Sequence, residues 1–147
     1  MKGLVLFDGE CNVCDTFVNF LIDRDPDGKL QYASQQSSAG KDVMTKRDIN
    51  VNCSTMVLIT SDGSIYTHST AFLRTMALLG SFYRLLLLFL IIPAFIRDLG
   101  YSCFAANRYR LFGRHEEACK RLTPELKLRF LQYNTESKIY WENNKRD

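Results

Sequence analysis

The sequence has little of what marks several common classes of protein. Its 19 Lys and Arg residues are nearly balanced by 16 Asp and Glu residues. It lacks the dense basic cluster of a nucleic-acid binder, so nucleic acid is not an expected partner. The apolar run near the amino terminus spans only residues 4–7 before Asp8 and Glu10 interrupt it, whereas a secretory signal needs about 7–15 apolar residues. Internal repeats and low-complexity segments are also absent. These absences predict a chain without a signal peptide, located in the cytoplasm.

The composition predicts a folded domain with its own hydrophobic core. Of the 147 residues, 46% are hydrophobic and 24% are charged, close to the averages for soluble globular proteins, which excludes global disorder. We expect one domain over residues 1–133, including a helical C-terminal extension from about residue 80. Within it, Thr123, Pro124 and Glu125 have the pattern of a helix start. Residues 134–147 are polar and are expected to form a loosely ordered tail.

The five cysteines are irregularly spaced, and two of them form the pattern Cys11-Asn12-Val13-Cys14. An odd number argues against the fully paired framework of a secreted protein. In a reducing cytoplasm, a Cys-x-x-Cys pair is more often catalytic or metal-binding than structural. The function of this pair is therefore the main question that the sequence poses.

Short runs of apolar and β-branched residues predict four strands. Residues 4–7 have the length and composition of a buried central strand. Residues 30–33 alternate as a half-buried strand does. Residues 55–60 and 65–68 flank Ser61-Asp62-Gly63, and Asp-Gly between two such runs is typical of a β-hairpin.

Helical patterns fall between and after these strands. From Cys11 onward, apolar residues recur at helical spacing, and residues 25–28 form a turn that ends this helix. Residues 37–47 suit a surface helix or a loop, and Ser69 or Thr70 can cap a helix after the hairpin. This order predicts an α/β, thioredoxin-like fold, a mixed sheet flanked by helices with an added helical C-terminal region. The first two strands run parallel, and the last two form an antiparallel hairpin.

A long apolar stretch follows the predicted hairpin and helix. Residues 76–96 contain one charged residue, Arg84. A membrane span needs about 18 or more apolar residues, and an arginine near its middle costs about 2.5–3.5 kcal/mol. Gly80, Arg84 and Pro93 therefore favour a buried helical hairpin or a helix that covers the sheet. Membrane association, or a partner surface, at residues 85–96 is the alternative.

The predicted secondary structure places Cys11 and Cys14 at the start of a helix. There, unpaired backbone N–H groups and the positive end of the helix dipole stabilise a thiolate. We expect Cys11 to be the nucleophile. Cys14 lies one turn further along, on the apolar stripe, where it is less exposed yet able to close a disulfide and act as the resolving thiol. This chemistry needs no cofactor, because the two thiols carry the electrons themselves.

Asp8 precedes the cysteine pair at the end of the first strand. The negative charges of Asp8 and Glu10 raise the pKa of a nearby thiol and oppose the effect of the helix dipole. A carboxylate partly removed from water could accept the proton of a thiol during exchange, which makes Asp8 a candidate proton acceptor. The alternative is a turn aspartate that caps the backbone before Gly9.

The segment LVLFDGECNVC, residues 4–14, resembles the DCC family of thiol-disulfide oxidoreductases, which is named for an Asp-x-x-Cys-x-x-Cys signature. Asp8, Cys11 and Cys14 match its three named residues. The resemblance implies exchange with protein or small-molecule thiols and disulfides. Similarity continues over most of residues 3–130, in Arg24-Asp25-Pro26, Tyr32-Ala33-Ser34, Ser69-Thr70-Ala71, Ile92-Pro93, Ile96-Arg97-Asp98, Asn107-Arg108-Tyr109-Arg110 and Cys119.

A comparison with thioredoxins draws attention to Cys53. Thioredoxins have a cis-proline opposite the active-site pair, where it grips an extended substrate and keeps metals from the thiols. The similar position in this sequence is Ser54, preceded by Cys53. Cys53 is therefore a candidate third thiol or ligand, and the alternative is an ordinary loop cysteine.

A metal site is the main alternative function for the cysteine pair. His115 and Cys119 are four residues apart and share one side of a helix if this segment is helical. With Cys11 and Cys14 they supply a Cys₃His ligand set for zinc, and Cys53 is a further candidate ligand. This alternative predicts a metal-binding or interaction module instead of an enzyme.

A small basic and aromatic cluster lies at residues 107–110, with Arg114 close by. Arginines there could bind a carboxylate or phosphate of a partner or of a small thiol such as glutathione. The alternative is a solvated face in which the arginines pair with Asp98 or Glu117. His68 is expected to be a surface residue at a strand end.

Overall fold

The computed structural model describes residues 3–52, 55–80, 82–113, 127–131 and 135–143. The predicted helix start at residues 123–125 lies outside these ranges. In chain order, the elements are β1 (Gly3–Phe7), α1 (Asn12–Asp23), β2 (Leu30–Ser34), α2 (Ser38–Lys46), β3 (Val57–Thr60), β4 (Ile65–Thr67), α3 (His68–Leu79), the 3₁₀ helix η1 (Phe82–Ile91), α4 (Ala94–Phe112) and α5 (Thr135–Asn143).

The four strands form one mixed sheet in the order β2-β1-β3-β4. β1 pairs in parallel with β2, so that Val5 lies opposite Tyr32, and α1 forms the crossover between them. On its other side β1 pairs antiparallel with β3, and β3 and β4 form the predicted hairpin. Gly63 in the hairpin turn has φ of 82°, a conformation that glycine adopts without strain. The predicted α/β, thioredoxin-like arrangement is confirmed.

β1 is buried on both faces because helices cover both sides of the sheet. Val5 and Phe7 face a core that includes Leu21 of α1 and Met76 of α3. The alternate residues, such as Leu4 and Leu6, face a second core. This second core is formed with Val43 of α2 and Trp141 of α5, among others. The carboxyl end of a central, fully buried strand therefore carries Asp8 to the start of α1.

β2 is more deeply buried than its sequence predicts. The alternation over residues 30–33 predicts a half-buried strand, but all four residues are buried. The prediction is wrong because α5 covers the face that carries the polar Gln31. The indole Nε1–H of Trp141 donates a hydrogen bond to Gln31 Oε1, so this polar side chain is satisfied inside the protein.

Residues 135–143, predicted to belong to a loosely ordered tail, form helix α5 instead. The polar composition predicted disorder wrongly, because a few specific contacts hold this mostly polar helix against the rest of the protein. Trp141 is fully buried, and its backbone carbonyl accepts a hydrogen bond from Arg47 Nε. The Lys138 ammonium pairs with the Asp42 carboxylate of α2. Residues 132–134 and 144–147 of the predicted tail lie outside the described ranges.

α3 begins at His68, with Thr67 as its N-cap, two or three residues earlier than a cap at Ser69 or Thr70 predicts. His68 is half-buried and has φ of 54°. The N-cap residue makes no side-chain cap. Ser69, a predicted cap, instead donates from its hydroxyl to the carboxylate of Asp98 on α4. Arg97 donates to the hydroxyls of Ser69 and Thr70 at 3.0 and 3.3 Å. These contacts fix α4 against the start of α3.

The apolar stretch after residue 80 is largely exposed, which corrects the prediction of a buried helical hairpin. None of the residues of η1 is buried. The physical reason is that other elements already fill both faces of the sheet, so that η1 packs beside α3 through Tyr83 and Leu86. We call the exposed apolar side chains of η1 and the first half of α4 the hairpin surface: Phe82, Leu85, Leu88, Phe89, Ile91, Ile92, Phe95, Ile96 and Leu99.

The helices were compared with the length and composition that a membrane span requires. Within the described ranges, no single helix is long and apolar enough to cross a bilayer. The consecutive pair η1 and α4 meets the criterion only when the two are taken together, and they are bent by 113°.

Candidate active site

The two cysteines of the Cys-x-x-Cys pattern lie at the N-terminus of α1, as predicted. Cys11 is the N-cap residue, with extended backbone angles, and its N–H donates to the Asp8 carbonyl at 3.3 Å. Cys14 lies in the first turn, and its thiol is hydrogen-bonded with that of Cys11. Both are free thiols in this structure. The arrangement brings two sulfurs together, as a reversible disulfide requires.

The exposure of the two sulfurs is the reverse of the prediction. Cys14 was expected to be the less exposed thiol, but Cys11 is 1% exposed and Cys14 is half-buried. The prediction is wrong because one side of the first turn of α1 lines a pocket, and Cys14 is on that side. A substrate that enters the pocket therefore reaches Cys14 first.

The pKa of the Cys14 thiol is raised from 9.0 to about 12. Burial is the largest cause, and the neighbouring Cys11 and Asp8 add to it. The guanidinium of Arg108 acts in the opposite direction and lowers this pKa. At neutral pH, a thiol with this pKa is deprotonated in only about one molecule in 10⁵.

Asp8 is buried at the centre of a hydrogen-bonded cluster. Its Oδ1 accepts hydrogen bonds from the backbone N–H of Glu10 at 3.0 Å and from Gln36 Nε2 at 2.7 Å. Its Oδ2 accepts from the guanidinium of Arg108 and the hydroxyl of Tyr109. The bond from Glu10 is that of a turn aspartate, which was the alternative role. Four donors therefore occupy the two carboxylate oxygens of Asp8.

Arg108 is the functional residue that sequence reasoning placed wrongly. The cluster at residues 107–110 was expected to bind an anion or to face solvent, but the side chain of Arg108 is only 3% exposed and pairs with Asp8. Its guanidinium also lies 4.9 Å from the centre of the Tyr109 ring. A signal was present, because a buried aspartate requires a cationic or hydrogen-bonding partner.

The remainder of the basic cluster has other surroundings. Arg110 is exposed, and Asp98 binds Ser69 instead of an arginine of this cluster. Arg114 and Glu117 lie outside the described ranges. The solvated-face interpretation therefore holds for Arg110 and fails for Arg108.

Gln36 connects the Asp8 cluster to β2 and was not found from the sequence. Its Oε1 accepts hydrogen bonds from the backbone N–H of Gly9 at 2.9 Å and from Ser34 Oγ at 2.8 Å. These two contacts orient the amide so that its Nε2 donates to Asp8. A Cβ on Gly9 would lie 2.4 Å from Ser34 Oγ, so glycine is required for this close approach.

A pocket of about 370 Å³ opens beside the cysteine pair, and we call it the Cys14 pocket. Most of its lining is apolar, from Phe7, Val13, Phe17, Met56, Phe72 and Phe104. Cys14, Asp8, Arg108 and Tyr101 complete the walls. The Tyr101 hydroxyl accepts a hydrogen bond from the N–H of Met56 at 3.0 Å, and burial raises its pKa. α4 is therefore joined to the start of β3 across the pocket.

The predicted metal ligands are only partly within the described ranges. Among the residues that the structure describes, no three His, Cys, Asp or Glu side chains converge as a metal site. His115, Cys119 and Cys53 lie outside these ranges, as does Ser54, so zinc binding and a third thiol remain predictions.

Comparison with known proteins places this site in a family. The model of the DCC1-like thiol-disulfide oxidoreductases matches residues 5–114, well over half of the chain. The chain belongs to this family. The matched range contains both cysteines, Asp8 and Arg108. As a DCC1-like protein, it is assigned by class to the oxidoreductases that act on thiols and disulfides.

Two relatives of this DCC1-like protein support the assignment. Uncharacterized protein YuxK of Bacillus subtilis (strain 168) is 39% identical over 128 residues, which cover 87% of this chain and 93% of the relative. DCC family protein At1g52590, chloroplastic, of Arabidopsis thaliana is 36% identical over 117 residues, which cover 78% of this chain and 67% of the relative. No solved structure matches the chain.

Proposed function

We propose that the protein exchanges thiols and disulfides through Cys11 and Cys14, which alternate between a dithiol and a disulfide. The observation that carries this proposal is the hydrogen-bonded pair of free thiols at the N-terminus of α1, next to a pocket. The substrates are thiols and disulfides of proteins or small molecules. The two sulfurs supply or accept both electrons, so the proposed reaction needs no cofactor. A reducing cytoplasm, the predicted location, maintains the dithiol.

In the proposed reaction, Cys14 meets the substrate and Cys11 resolves the intermediate. The thiolate of Cys14 attacks one sulfur of a substrate disulfide, the S–S bond breaks, and the leaving thiolate takes up the proton that Cys14 lost. Cys11 then attacks the Cys14 sulfur, which releases the second substrate thiol and leaves a Cys11–Cys14 disulfide. The substrate gains two electrons, and the reverse steps oxidise a dithiol substrate.

This order differs from the sequence prediction, which gave the attack to Cys11. The sequence prediction depended on the position of Cys11 at the helix N-terminus, but Cys11 is 1% exposed and Cys14 lines the pocket. Access decides, since a sulfur that the substrate cannot reach cannot attack it. The high pKa of Cys14 then makes the attack slow at neutral pH and faster as the pH rises.

We assign Asp8 a positioning role in place of the predicted proton acceptor. Both of its oxygens already accept hydrogen bonds, two of them from Arg108 and Tyr109. Asp8 thereby holds the Arg108 guanidinium near Cys14, where the positive charge stabilises the thiolate as it forms. An Asp8→Asn variant should leave the disulfide able to form and change the pH dependence of Cys14, because Arg108 loses its charged partner.

The test is a redox titration of the protein with Cys53, Cys103 and Cys119 replaced by Ser. We expect a reversible two-electron Cys11–Cys14 disulfide in thiol-disulfide buffers. In addition, Cys11→Ser should trap a mixed disulfide on Cys14, whereas Cys14→Ser should trap little on the buried Cys11. If Cys14→Ser traps the mixed disulfide on Cys11 and Cys11→Ser traps little, then Cys11 is the attacking thiol, as the sequence predicted.

Two results would contradict the proposed function itself. One is the absence of a reversible Cys11–Cys14 disulfide at any accessible potential. The other is about one zinc ion per chain in wild-type protein purified without chelator, with release of the metal on alkylation of the cysteines. That result would support the metal-binding alternative, with His115, Cys119 or Cys53 as further ligands.

A further inference from the structure

The Cys14 pocket has an unusual combination of walls for a thiol site. Three aromatic rings from different elements face it: Phe17 from α1, Phe72 from α3 and Phe104 from α4. The rings of Phe17 and Phe72 are stacked, with 5.1 Å between their centres. Apolar and aromatic lining with few polar groups is typical of pockets that bind apolar ligands.

The two charged groups in the wall are already paired with each other. The Arg108 and Asp8 side chains are 3% and 1% exposed and form an ion pair. Asp8 also accepts from Tyr109 and Gln36. The two charges balance, so the pocket offers no net positive charge for the carboxylates of a charged thiol such as glutathione.

We propose that the Cys14 pocket binds the apolar, uncharged substituent of a thiol or disulfide, a group of about the size of an aromatic ring, and that this contact selects the substrate. This inference rests on the proposed function and specifies its substrate class. The apolar group lies against the aromatic walls of the pocket, and the attached sulfur is presented to Cys14, which also lines it. The volume of about 370 Å³ is in the range of pockets that enclose small ligands.

The test compares reagents that attach to a thiol in one step and differ only in their substituent. Methanethiosulfonates transfer their R–S group to a thiolate, which forms a mixed disulfide and releases methanesulfinate. The rates of benzyl, methyl and sulfonatoethyl reagents at Cys14 are measured in Cys11→Ser by peptide mass spectrometry. The same reagents react with a free cysteine peptide as reference. Ratios of rates cancel the low thiolate fraction of Cys14, which is common to all three.

We expect the benzyl-to-methyl ratio at Cys14 to exceed that of the free peptide by about tenfold or more, the discrimination that an apolar pocket gives. The sulfonatoethyl reagent should show no such gain. Phe104→Ser should lower the ratio severalfold, because it removes one wall. Phe95→Ser is the matched control, since Phe95 lies on the same helix, is 75% exposed and does not line the pocket.

The inference fails if the benzyl-to-methyl ratio equals that of the free peptide, or if Phe104→Ser and Phe95→Ser change it equally. A preference for the sulfonatoethyl reagent would also overturn it. These failures are distinguishable from failure of the proposed function. If only the substrate preference is wrong, the Cys11–Cys14 disulfide still forms reversibly. If the proposed function is wrong, this disulfide does not form.

The hairpin surface supports a second inference on independent grounds. Its most exposed side chains are Ile91, Phe82 and Phe95, at 82%, 78% and 75%. Ile91 and Phe95 lie at the corner where η1 ends and α4 begins at Pro93, and Phe82 lies at the start of η1. Contiguous apolar surfaces of this kind mark sites of protein or membrane interaction.

The exposed charge within the hairpin surface is positive. Residues 82–99 contain two arginines, Arg84 and Arg97, and one acidic residue, Asp98. Arg84 is exposed, whereas Asp98 binds Ser69. An exposed arginine among exposed apolar side chains is complementary to an anionic lipid surface, in which the apolar groups insert and the arginine contacts the headgroups.

The geometry points to attachment of the hairpin surface to the face of an anionic bilayer, without spanning it. The experiment is cosedimentation of the full chain with vesicles of equimolar phosphatidylcholine and phosphatidylglycerol, and with phosphatidylcholine alone. We expect binding to the anionic vesicles that weakens at high salt. The double variant Ile91→Ser and Phe95→Ser should lower the partition coefficient by at least about tenfold.

The matched control is the double variant Ile65→Ser and Ile139→Ser, which alters exposed apolar residues far from η1 and α4 in the chain. It should bind as the wild type does. Absence of vesicle binding overturns the inference, as does equal loss in both double variants. Sedimentation equilibrium of the lipid-free protein identifies the other occupant, because a dimer that is lost only in Ile91→Ser and Phe95→Ser would mean that a second copy covers this surface.

Discussion

The guanidinium of Arg108 forms a buried ion pair with the carboxylate of Asp8, and 100 residues of chain separate the two. Asp8 lies at the end of the first strand and Arg108 near the end of α4. Each charge is shielded from water by the same packing that brings them together. The pair therefore couples the site around the cysteines to the C-terminal helical region.

Removing one member of this pair should be costly. We expect Arg108→Met to lower the free energy of unfolding by about 3–5 kcal/mol, because the Asp8 carboxylate loses its cation inside the protein. The double variant Asp8→Asn and Arg108→Met should lose less than the sum of the single variants. Urea denaturation at neutral pH measures both. Arg110→Met is the control, since Arg110 is exposed, and equal effects of Arg108→Met and Arg110→Met would contradict the buried pair.

Alkylation of Cys14 by iodoacetamide should depend steeply on pH. Because its pKa is raised to about 12, the thiolate fraction increases about tenfold per pH unit between pH 7 and 10. The rate in Cys11→Ser should still rise without a plateau, because burial, the largest cause of the raised pKa, is retained there, whereas a free cysteine peptide levels off above its pKa of about 8.5. Adding Arg108→Met should slow the reaction at each pH, since the charge that lowers the pKa is lost. A plateau below pH 10 in Cys11→Ser would disprove the assignment.

Two glycines provide opposite predictions for the same substitution. Gly9→Ala should destabilise the protein by about 1–3 kcal/mol, because the new Cβ meets Ser34 Oγ at 2.4 Å and displaces the contacts of Gln36. Gly100→Ala should stabilise it by about 0.5–1 kcal/mol, since Gly100 lies within α4 and nothing lies within 4 Å of the added Cβ. Thermal or urea unfolding measures both, and a loss of stability in Gly100→Ala would argue against this part of α4.

Trp141 should be essential for stability although it lies near the carboxyl end of the chain. It is fully buried, so Trp141→Ala is expected to cost about 3–5 kcal/mol. Ile139→Ala, at a position that is 52% exposed, should change stability by less than about 0.5 kcal/mol. Trp141 is the only tryptophan, so its emission should be that of a buried indole and should shift to the red on unfolding. A solvent-exposed emission in the native protein would contradict α5.

The elements that the sequence predicted correctly are those with a local cause. The strands β1, β3 and β4 follow from short apolar runs and from the Asp62-Gly63 turn, and α1 follows from the helical spacing after Cys11. The position of both cysteines at the N-terminus of α1 needs only these local patterns. The family signature added Asp8, although it did not specify its contacts.

The features that the sequence did not predict depend on distant contacts. Nothing local in residues 134–147 shows that Trp141 covers Gln31, more than 100 residues away. Likewise, the depth of Cys11 depends on its packing, and the surroundings of Arg108 depend on where α4 crosses the end of β1. Hydropathy alone predicted burial for the hairpin surface. Hydropathy does not show that other helices already cover both faces of the sheet.

The distance along the chain between the thiols and Arg108 also has a consequence for synthesis. Cys14 is made 94 residues before Arg108, and at roughly 5–20 residues per second this interval lasts about 5–20 s. During it, the emerging chain carries both cysteines without the wall of α4 or the positive charge beside them. The nascent dithiol is therefore more accessible to solutes than the same pair in the completed protein, where Cys11 is buried and α4 forms one wall beside Cys14.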